Sequence, residues 1–119
     1  MFMAMNRFRV APEREHDFER VWRDRETYLQ EVPGFLEFAL LRSDEAGEYI
    51  SHSVWRDRAD FEAWTRSEAF AKGHAQGSLA GILVGPPQLG LYQAVIREAP
   101  GEREVDTSEP VSGRQGPRH

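Results

Sequence analysis

The chain has 119 residues and no cysteine, so the sequence predicts one domain and excludes disulfide bonds, a thiolate nucleophile and cysteine-ligated metal centres. Its net charge of −5, with lysine and arginine scattered along the chain, argues against a nucleic-acid-binding surface. No apolar run approaches the roughly 20 residues that cross a bilayer, and the opening MFMAM lacks the basic region of a signal peptide, so we expect a cytoplasmic protein without a membrane segment.

The first predicted element is a strand in MFMAMNRFRV. With the two-residue period of a strand, Phe2, Ala4, Asn6, Phe8 and Val10 share one face. Asn6 is the polar member of this apolar row. Because burying an amide without a partner costs about 1–3 kcal/mol, Asn6 needs either a hydrogen-bond partner or a functional role.

A helix is predicted after the first strand. Pro12 suits its first turn, and apolar residues then recur at steps of three and four from Phe18 to Val32. The pattern predicts a helix that ends near Pro33 and Gly34.

The next two predicted elements form a hairpin, in which GFLEFALLR and YISHSVW are strands and SDEAGE is the turn. In GFLEFALLR both faces are apolar: one carries Leu36, Phe38 and Leu40, and the other carries Phe35, Ala39 and Leu41. Helices on one side of a sheet cover only one of these faces. The sequence therefore predicts a symmetric homodimer in which the second faces of two sheets meet.

A second helical region is predicted in RDRADFEAWTRSEAFAKGHAQG, with Asp57 as its cap and a restart at Ser67. Gly73 and Gly77 predict fraying at its far end. A loop from Gly77 to Pro87 follows, and QLGLYQAVI is the last predicted strand.

The order strand, helix, strand, strand, helix, strand predicts an α+β, ferredoxin-like split βαββαβ domain over residues 1–97. Two helices cover one face of its antiparallel sheet, and pairing of two such sheets gives a dimeric α+β barrel. Residues 98–119 lack periodicity and are rich in proline, glycine, serine and charge, so we expect a disordered C-terminal tail.

Histidines are the candidates for acid–base chemistry or metal binding. His16 and His119 are expected at the surface, while His52 shares a strand face with apolar residues and is expected to be a hydrogen-bonded structural residue. His74 follows Trp64 by ten residues, with Phe70 one turn before it. Spacing alone makes such an aromatic stripe more often part of the core than of a site.

The run VWRDRADFEAWTRSEAFAKGH, together with MNRF, resembles the IsdG-type haem-degrading monooxygenases of the antibiotic biosynthesis monooxygenase superfamily. The resemblance covers roughly residues 1–96 and is greatest to the rhizobial and mycobacterial branches. Members combine an asparagine in the first strand, a tryptophan in F-x-x-W of the second helix and a histidine ten residues later. These residues are Asn6, Trp64 and His74 here.

The resemblance implies a paired-sheet dimer that binds haem as both cofactor and substrate, opens its ring to a bilin-type product and releases iron. In this interpretation His74 binds the iron, Trp64 presses on the macrocycle and distorts it, and Asn6 donates a hydrogen bond on the other side of the iron. Phe8, Trp22 and Phe70 form apolar walls, and Arg25 pairs with a propionate. Since no flavin or dinucleotide motif is present, an external reductase or small reductant supplies electrons.

Three alternatives remain open from the sequence. The first is a cofactor-independent oxygenase or isomerase of a small metabolite, with His74 as a base. The second is a non-catalytic haem carrier or sensor. The third is a dimeric module in which Asn6 is bonded to the backbone.

Overall fold

The computed structural model describes residues 1–110, which form an antiparallel sheet with helices on one face. The strands of the main sheet are β1 (Phe2–Arg9), β2 (Phe35–Arg42), β3 (Glu48–Trp55) and β4 (Gln88–Gln93), in the order β2-β3-β1-β4. The helices are α1 (Glu15–Asp24), α2 (Arg58–Thr65) and α3 (Glu68–His74). The predicted α+β ferredoxin-like fold is confirmed. Within the described residues, no helix has both the length and the apolar character that a bilayer crossing requires.

The first helix is shorter than predicted. A 3₁₀ turn at Pro12–Arg14 precedes α1, which ends at Asp24, and a separate 3₁₀ turn covers Leu29–Glu31. The predicted continuation to residue 33 is wrong because side chains capture the backbone amides that a helix would use. Glu26 Oε1 accepts from the amide of Tyr28 at 3.1 Å, and Thr27 Oγ1 accepts from the amide of Leu29 at 3.3 Å.

The two predicted helix caps are present. The side chain of Asp57 accepts a hydrogen bond from the amide of Asp60 at 2.9 Å, and that of Ser67 accepts from the amide of Phe70 at 3.2 Å. The helical region is therefore divided at Ser67 into α2 and α3, as predicted. α3 ends at His74, between the two glycines at which the sequence predicts fraying; Gly73 is buried, and a Cβ there would lie 3.3 Å from the carbonyl oxygen of Thr27.

A bulge in β2 changes the predicted alternation of that strand. The register with β3 shifts between Phe35 and Glu37, so Phe35 lies opposite Trp55 and packs edge-on against its ring at 5.6 Å. Phe35 thus belongs to the core and not to the second face, and Leu36 is left 51% exposed. A bulge inserts one extra residue into a strand, and the side chains on its two sides then no longer alternate between the faces of the sheet as the sequence pattern predicts.

Aromatic and aliphatic residues under the helices form two core clusters. The first contains Phe2, Ala4, Leu29, Trp55 and Phe61, and the second contains Phe8, Val10, Phe18, Tyr49 and Ile82. Asn6 stands in β1 between Ala4 of the first cluster and Phe8 of the second. The polar residue of the strand therefore lies where the two clusters meet.

The side of the sheet away from the helices is called the open face here. Its members include Met5, His52 and Ala39, which are neighbours across β1, β3 and β2. Leu41 is 47% exposed and Tyr92 is 54% exposed on the same side. The open face thus exposes apolar side chains beside charged ones such as Arg7 and Glu48, and none of the described elements covers it.

A second, two-stranded sheet follows the main one. β5 (Ile96–Ala99) pairs with β6 (Glu102–Val105), whereas the sequence predicted disorder from residue 98. The strands are joined by cross-strand ion pairs, such as Arg97 with Glu102 at 2.7 Å, and not by an apolar row that periodicity would reveal. Residues 111–119, with His119 and the rest of the predicted tail, lie outside the described residues, and the domain boundary at residue 97 stays a prediction.

Glu19 of α1 forms hydrogen bonds to two strands of the sheet, and these contacts predict how the stability of the fold changes in acid. It accepts hydrogen bonds from Arg42 and from the Tyr49 hydroxyl, and these donors lower its pKa from 4.5 to about 2. Because the folded-state pKa is lowered, ionised Glu19 stabilises the fold above pH 4.5, and this contribution is lost as the pH falls towards 2.

We therefore expect Glu19→Gln to lower the urea midpoint at pH 7 and to flatten its decline between pH 5 and pH 2.5. Glu13→Gln is the matched control, because Glu13 is exposed and its carboxylate makes no hydrogen bond among the described residues. Equal pH slopes for wild type and Glu19→Gln would contradict the assignment.

Candidate active site

A cavity of about 540 Å³ lies between the two core clusters. Its walls include Ala4 and Phe61 of the first cluster and Phe8 of the second. Leu79, which packs against the second cluster, also lines it. All seven side chains proposed from the sequence line this one cavity: Asn6, Phe8, Trp22, Arg25, Trp64, Phe70 and His74. The fold therefore brings together residues from β1, α1, α2 and α3, and the roles proposed for them stay predictions.

A larger hollow of about 610 Å³ lies on the open face, next to Met5 and Ile50. Its charged side chains are engaged in ion pairs: Arg7 pairs with Glu48 at 3.2 Å within the hollow, and Arg42 pairs with Glu19 outside it at 2.7 Å. No histidine lines it. The smaller cavity, with its unpaired polar groups, is therefore the candidate active site.

Asn6 is held at the centre of β1, opposite Ser51 of β3 and Leu89 of β4. Its Oδ1 atom is buried and has no hydrogen-bond partner among the described residues. A buried acceptor left without a partner costs about 1–3 kcal/mol. The structure thus lacks the backbone hydrogen bond to this atom that a purely structural role predicts.

Two tryptophans at the cavity have the same property. The indole nitrogens of Trp22 and Trp64 are buried without a partner in the described part of the chain, whereas that of Trp55 donates to Ser53 Oγ at 3.0 Å. Buried polar atoms are normally satisfied. Three unpartnered groups on residues around one cavity are typical of a site that receives a ligand.

His74 is the last residue of α3 and lies at the rim of the cavity. Its ring stacks on Phe70 with centroids 3.9 Å apart, and the ring centroids of His74 and Trp64 are 6.0 Å apart. Nδ1 lies 2.9 Å from the carbonyl oxygen of Phe70. Because a carbonyl oxygen only accepts, Nδ1 carries the hydrogen in this contact, and Nε2 keeps a lone pair for a metal or a proton.

Arg25 supplies the cavity with its positive charge. Its guanidinium carbon lies 4.6 Å above the ring of Trp22, and Nε donates to the carbonyl oxygen of Gln76 at 3.2 Å. Burial lowers the pKa of Arg25, and no aspartate or glutamate lines the cavity. An aromatic cavity with one partly desolvated cation favours a flat, anionic ligand.

Sequence reasoning missed Gln76. Its side chain bonds to the backbone of Glu26, fifty residues earlier, at the junction between the end of α3 and the segment after α1. No periodicity or motif signals a contact between two polar residues so far apart.

Residues 1–76 match the family described as antibiotic biosynthesis monooxygenase, and the chain belongs to this family. The predicted superfamily is thereby confirmed. A search of curated protein sequences finds no relative of the chain.

Solved structures share the fold. SnoaB of Streptomyces nogalater, described as a cofactor-independent oxygenase, is 27% identical with a TM-score of 0.61, covering 85% of this chain and 97% of its own. MhuD of Mycobacterium tuberculosis, described as a haem degrader with two haems bound in its active site, is 23% identical with a TM-score of 0.68, covering 83% and 100%. A conserved protein of Methanosarcina mazei is 14% identical with a TM-score of 0.64, covering 77% and 90%. These matches show the fold and favour no branch of the family.

Proposed function

We propose that the chain is a haem-degrading monooxygenase that binds haem in the cavity, opens its ring and releases iron. The observation that carries the proposal is the imidazole of His74, whose Nδ1 is held by a backbone carbonyl at the rim of an aromatic cavity. Such an arrangement leaves Nε2 as a neutral ligand for iron, with its tautomer fixed by the second nitrogen.

The residues present fit a haem. Its flat apolar ring suits the walls formed by Phe8, Trp22 and Phe70, and its carboxylates suit the guanidinium of Arg25. The loop from Gly77 to Pro87 has no basic residue. Among the described residues that line the cavity, Arg25 is therefore the side chain that would pair with a haem carboxylate. The description of MhuD as a haem degrader supports the same ligand.

In the proposed mechanism, bound haem supplies the iron that activates dioxygen, and its own ring is oxidised. His74 would hold the iron through Nε2, the carboxamide of Asn6 would donate a hydrogen bond where negative charge develops, and the indole of Trp64 would press on the ring. Aromatic walls exclude water, and an external reductase or small reductant provides the electrons.

The test is a haemin titration followed by reduction in air. We expect the wild-type protein to give a saturable Soret shift and then, with ascorbate and oxygen, loss of the Soret band and release of iron that ferrozine detects. Catalase in the reaction removes free hydrogen peroxide, so that non-enzymatic bleaching is suppressed. A Soret band that forms and does not bleach would indicate a haem carrier and overturn the degrading activity.

A second candidate function is a cofactor-independent oxygenase acting on a small aromatic molecule. The identity of 27% with SnoaB favours it, as do the unpartnered polar atoms of residues that line the cavity. His74 would then act as a base through Nε2. The absence of any spectral change with haemin would favour this candidate over the first.

We also propose that a second copy of the chain covers the open face, as the sequence predicts. Leu41 and Tyr92 are exposed there, and the buried Nε2 of His52 has no partner among the described residues, although a hydrogen bond was expected. Isologous pairing would remove this apolar surface from water in both copies. The cytoplasmic location stays a prediction.

For the dimer, we expect sedimentation velocity to give twice the mass of the chain at tens of micromolar, and Leu41→Glu to give the monomer. Ala63→Glu is the control, because Ala63 is exposed in α2, which packs on the opposite side of the sheet. A monomeric wild type would contradict the proposal.

A further inference from the structure

Gln76 lies two residues after the end of α3, and its side chain forms hydrogen bonds to the backbone of Glu26. The amide of Glu26 donates to Oε1 at 2.9 Å, and Nε2 donates to the carbonyl oxygen of Glu26 at 2.9 Å and to that of Lys72 at 3.3 Å. A backbone amide only donates and a carbonyl only accepts, so the partners fix which end of the carboxamide is oxygen. The side chain thus pairs with Glu26 as a neighbouring strand would.

The backbone around Gln76 adds further contacts to the same segment. Its carbonyl oxygen accepts from Arg25 Nε at 3.2 Å. Gly73 lies so close to residues 26–27 that a Cβ would meet the carbonyl oxygen of Thr27 at 3.3 Å, and a Cβ on Gly77 would meet Val21 at 2.8 Å. The end of α3 is therefore docked tightly on the chain that leaves α1.

α3 is too short to hold its own orientation. It has seven residues, and isolated helices of this length are unstable in water, so tertiary contacts decide where its last turn lies. His74 is in that last turn, and Arg25 is in the segment on which the turn is docked. The same junction therefore sets the position of the imidazole and of the guanidinium.

We propose that Gln76 is a positioning residue that fixes the separation of His74 and Arg25, so that a ligand held by the imidazole presents an anionic group to the guanidinium. The inference rests on the proposed function for its ligand. It goes beyond that function because it assigns the relative placement of the His74 imidazole and the Arg25 guanidinium to Gln76, which does not line the cavity.

The test compares Gln76→Met, which keeps the length of the side chain and removes its hydrogen bonds, with wild type. Gln30→Met is the matched control, because Gln30 is exposed and its side chain makes no hydrogen bond within the described residues. Gln76→Asn, one methylene shorter, keeps the amide but does not reach both groups of Glu26, and it serves if the Met variant does not fold.

The first readout needs no ligand. Nitrogen NMR of the His74 imidazole should show the Nδ1-protonated tautomer in wild type and in Gln76→Met an average of tautomers, because the turn is no longer held. A purely structural role would lower the melting temperature and leave the tautomer of the folded protein unchanged.

The second readout uses haemin and its dimethyl ester as probes. We expect Gln76→Met to bind haemin about tenfold more weakly, with a mixed axial-ligand spectrum, and to lose the wild-type preference for the free acid over the ester. An unchanged tautomer, spectrum and preference in Gln76→Met would overturn the inference while leaving the proposed function standing. Failure of wild type to bind haemin would instead remove the proposed function, and the inference with it.

Discussion

Replacing His74 with alanine is expected to remove the histidine-ligated Soret spectrum and to weaken haemin binding about tenfold or more, equivalent to about 1.4 kcal/mol. The physical reason is the loss of Nε2. In the wild-type protein Nδ1 donates to the carbonyl oxygen of Phe70, so the lone pair of Nε2 is free to bind a metal. Reductant-driven loss of the Soret band should stop for the same reason. A spectral titration with stopped-flow reduction in air measures both effects.

The His74 experiment has an internal check on folding. Because the imidazole is exposed at the end of α3, its removal should leave the urea midpoint nearly unchanged. His16→Ala is the control, since His16 is an exposed histidine of α1 away from the cavity lining. Haemin binding that keeps wild-type affinity and spectrum in His74→Ala would show that another group holds the iron.

Replacing Trp55 with alanine should have the largest effect on stability, about 3–5 kcal/mol. Trp55 is fully buried at the end of β3, with ring centroids 5.6 Å from Phe35, 5.9 Å from Phe61 and 5.1 Å from Trp64. The change leaves a cavity in the first core cluster and also deprives Ser53 of its bond from the indole. Domains of this size are stable by about 5–15 kcal/mol, so the variant approaches unfolding.

Urea denaturation followed by circular dichroism measures this loss. Val84→Ala, at a position 64% exposed, should change the free energy of unfolding by no more than about 0.5 kcal/mol. A cost at Trp55 as small as that at Val84 would contradict the placement of the ring in the core. The variant should also bind ligand less tightly, because Trp64 loses the ring that it packs against.

The parts of the fold that sequence predicted correctly rest on local signals. Alternation identified β1 and β3, and an aspartate and a serine at the right offsets identified the starts of α2 and α3. The site residues came from a resemblance and not from spacing, since Asn6, Trp64 and His74 have no local pattern that joins them.

The parts that sequence did not predict depend on contacts that periodicity does not record. α1 ends early because Glu26 and Thr27 bind nearby amides, although Leu29 and Val32 continue the three- and four-residue steps. The bulge between Phe35 and Glu37 moves Phe35 into the core, and Pro33 and Gly34 just before it signal the start of a strand and not a bulge within it. The hydrogen bonds between Gln76 and Glu26 join residues fifty positions apart in the sequence, so only the folded structure reveals them.

Only two ionisable side chains, Arg25 and His74, line the cavity within the described residues. Arginine stays protonated in proteins, so Arg25 is the permanent charge among the described residues of the lining. Added salt should therefore weaken the binding of an anionic ligand by screening this single guanidinium.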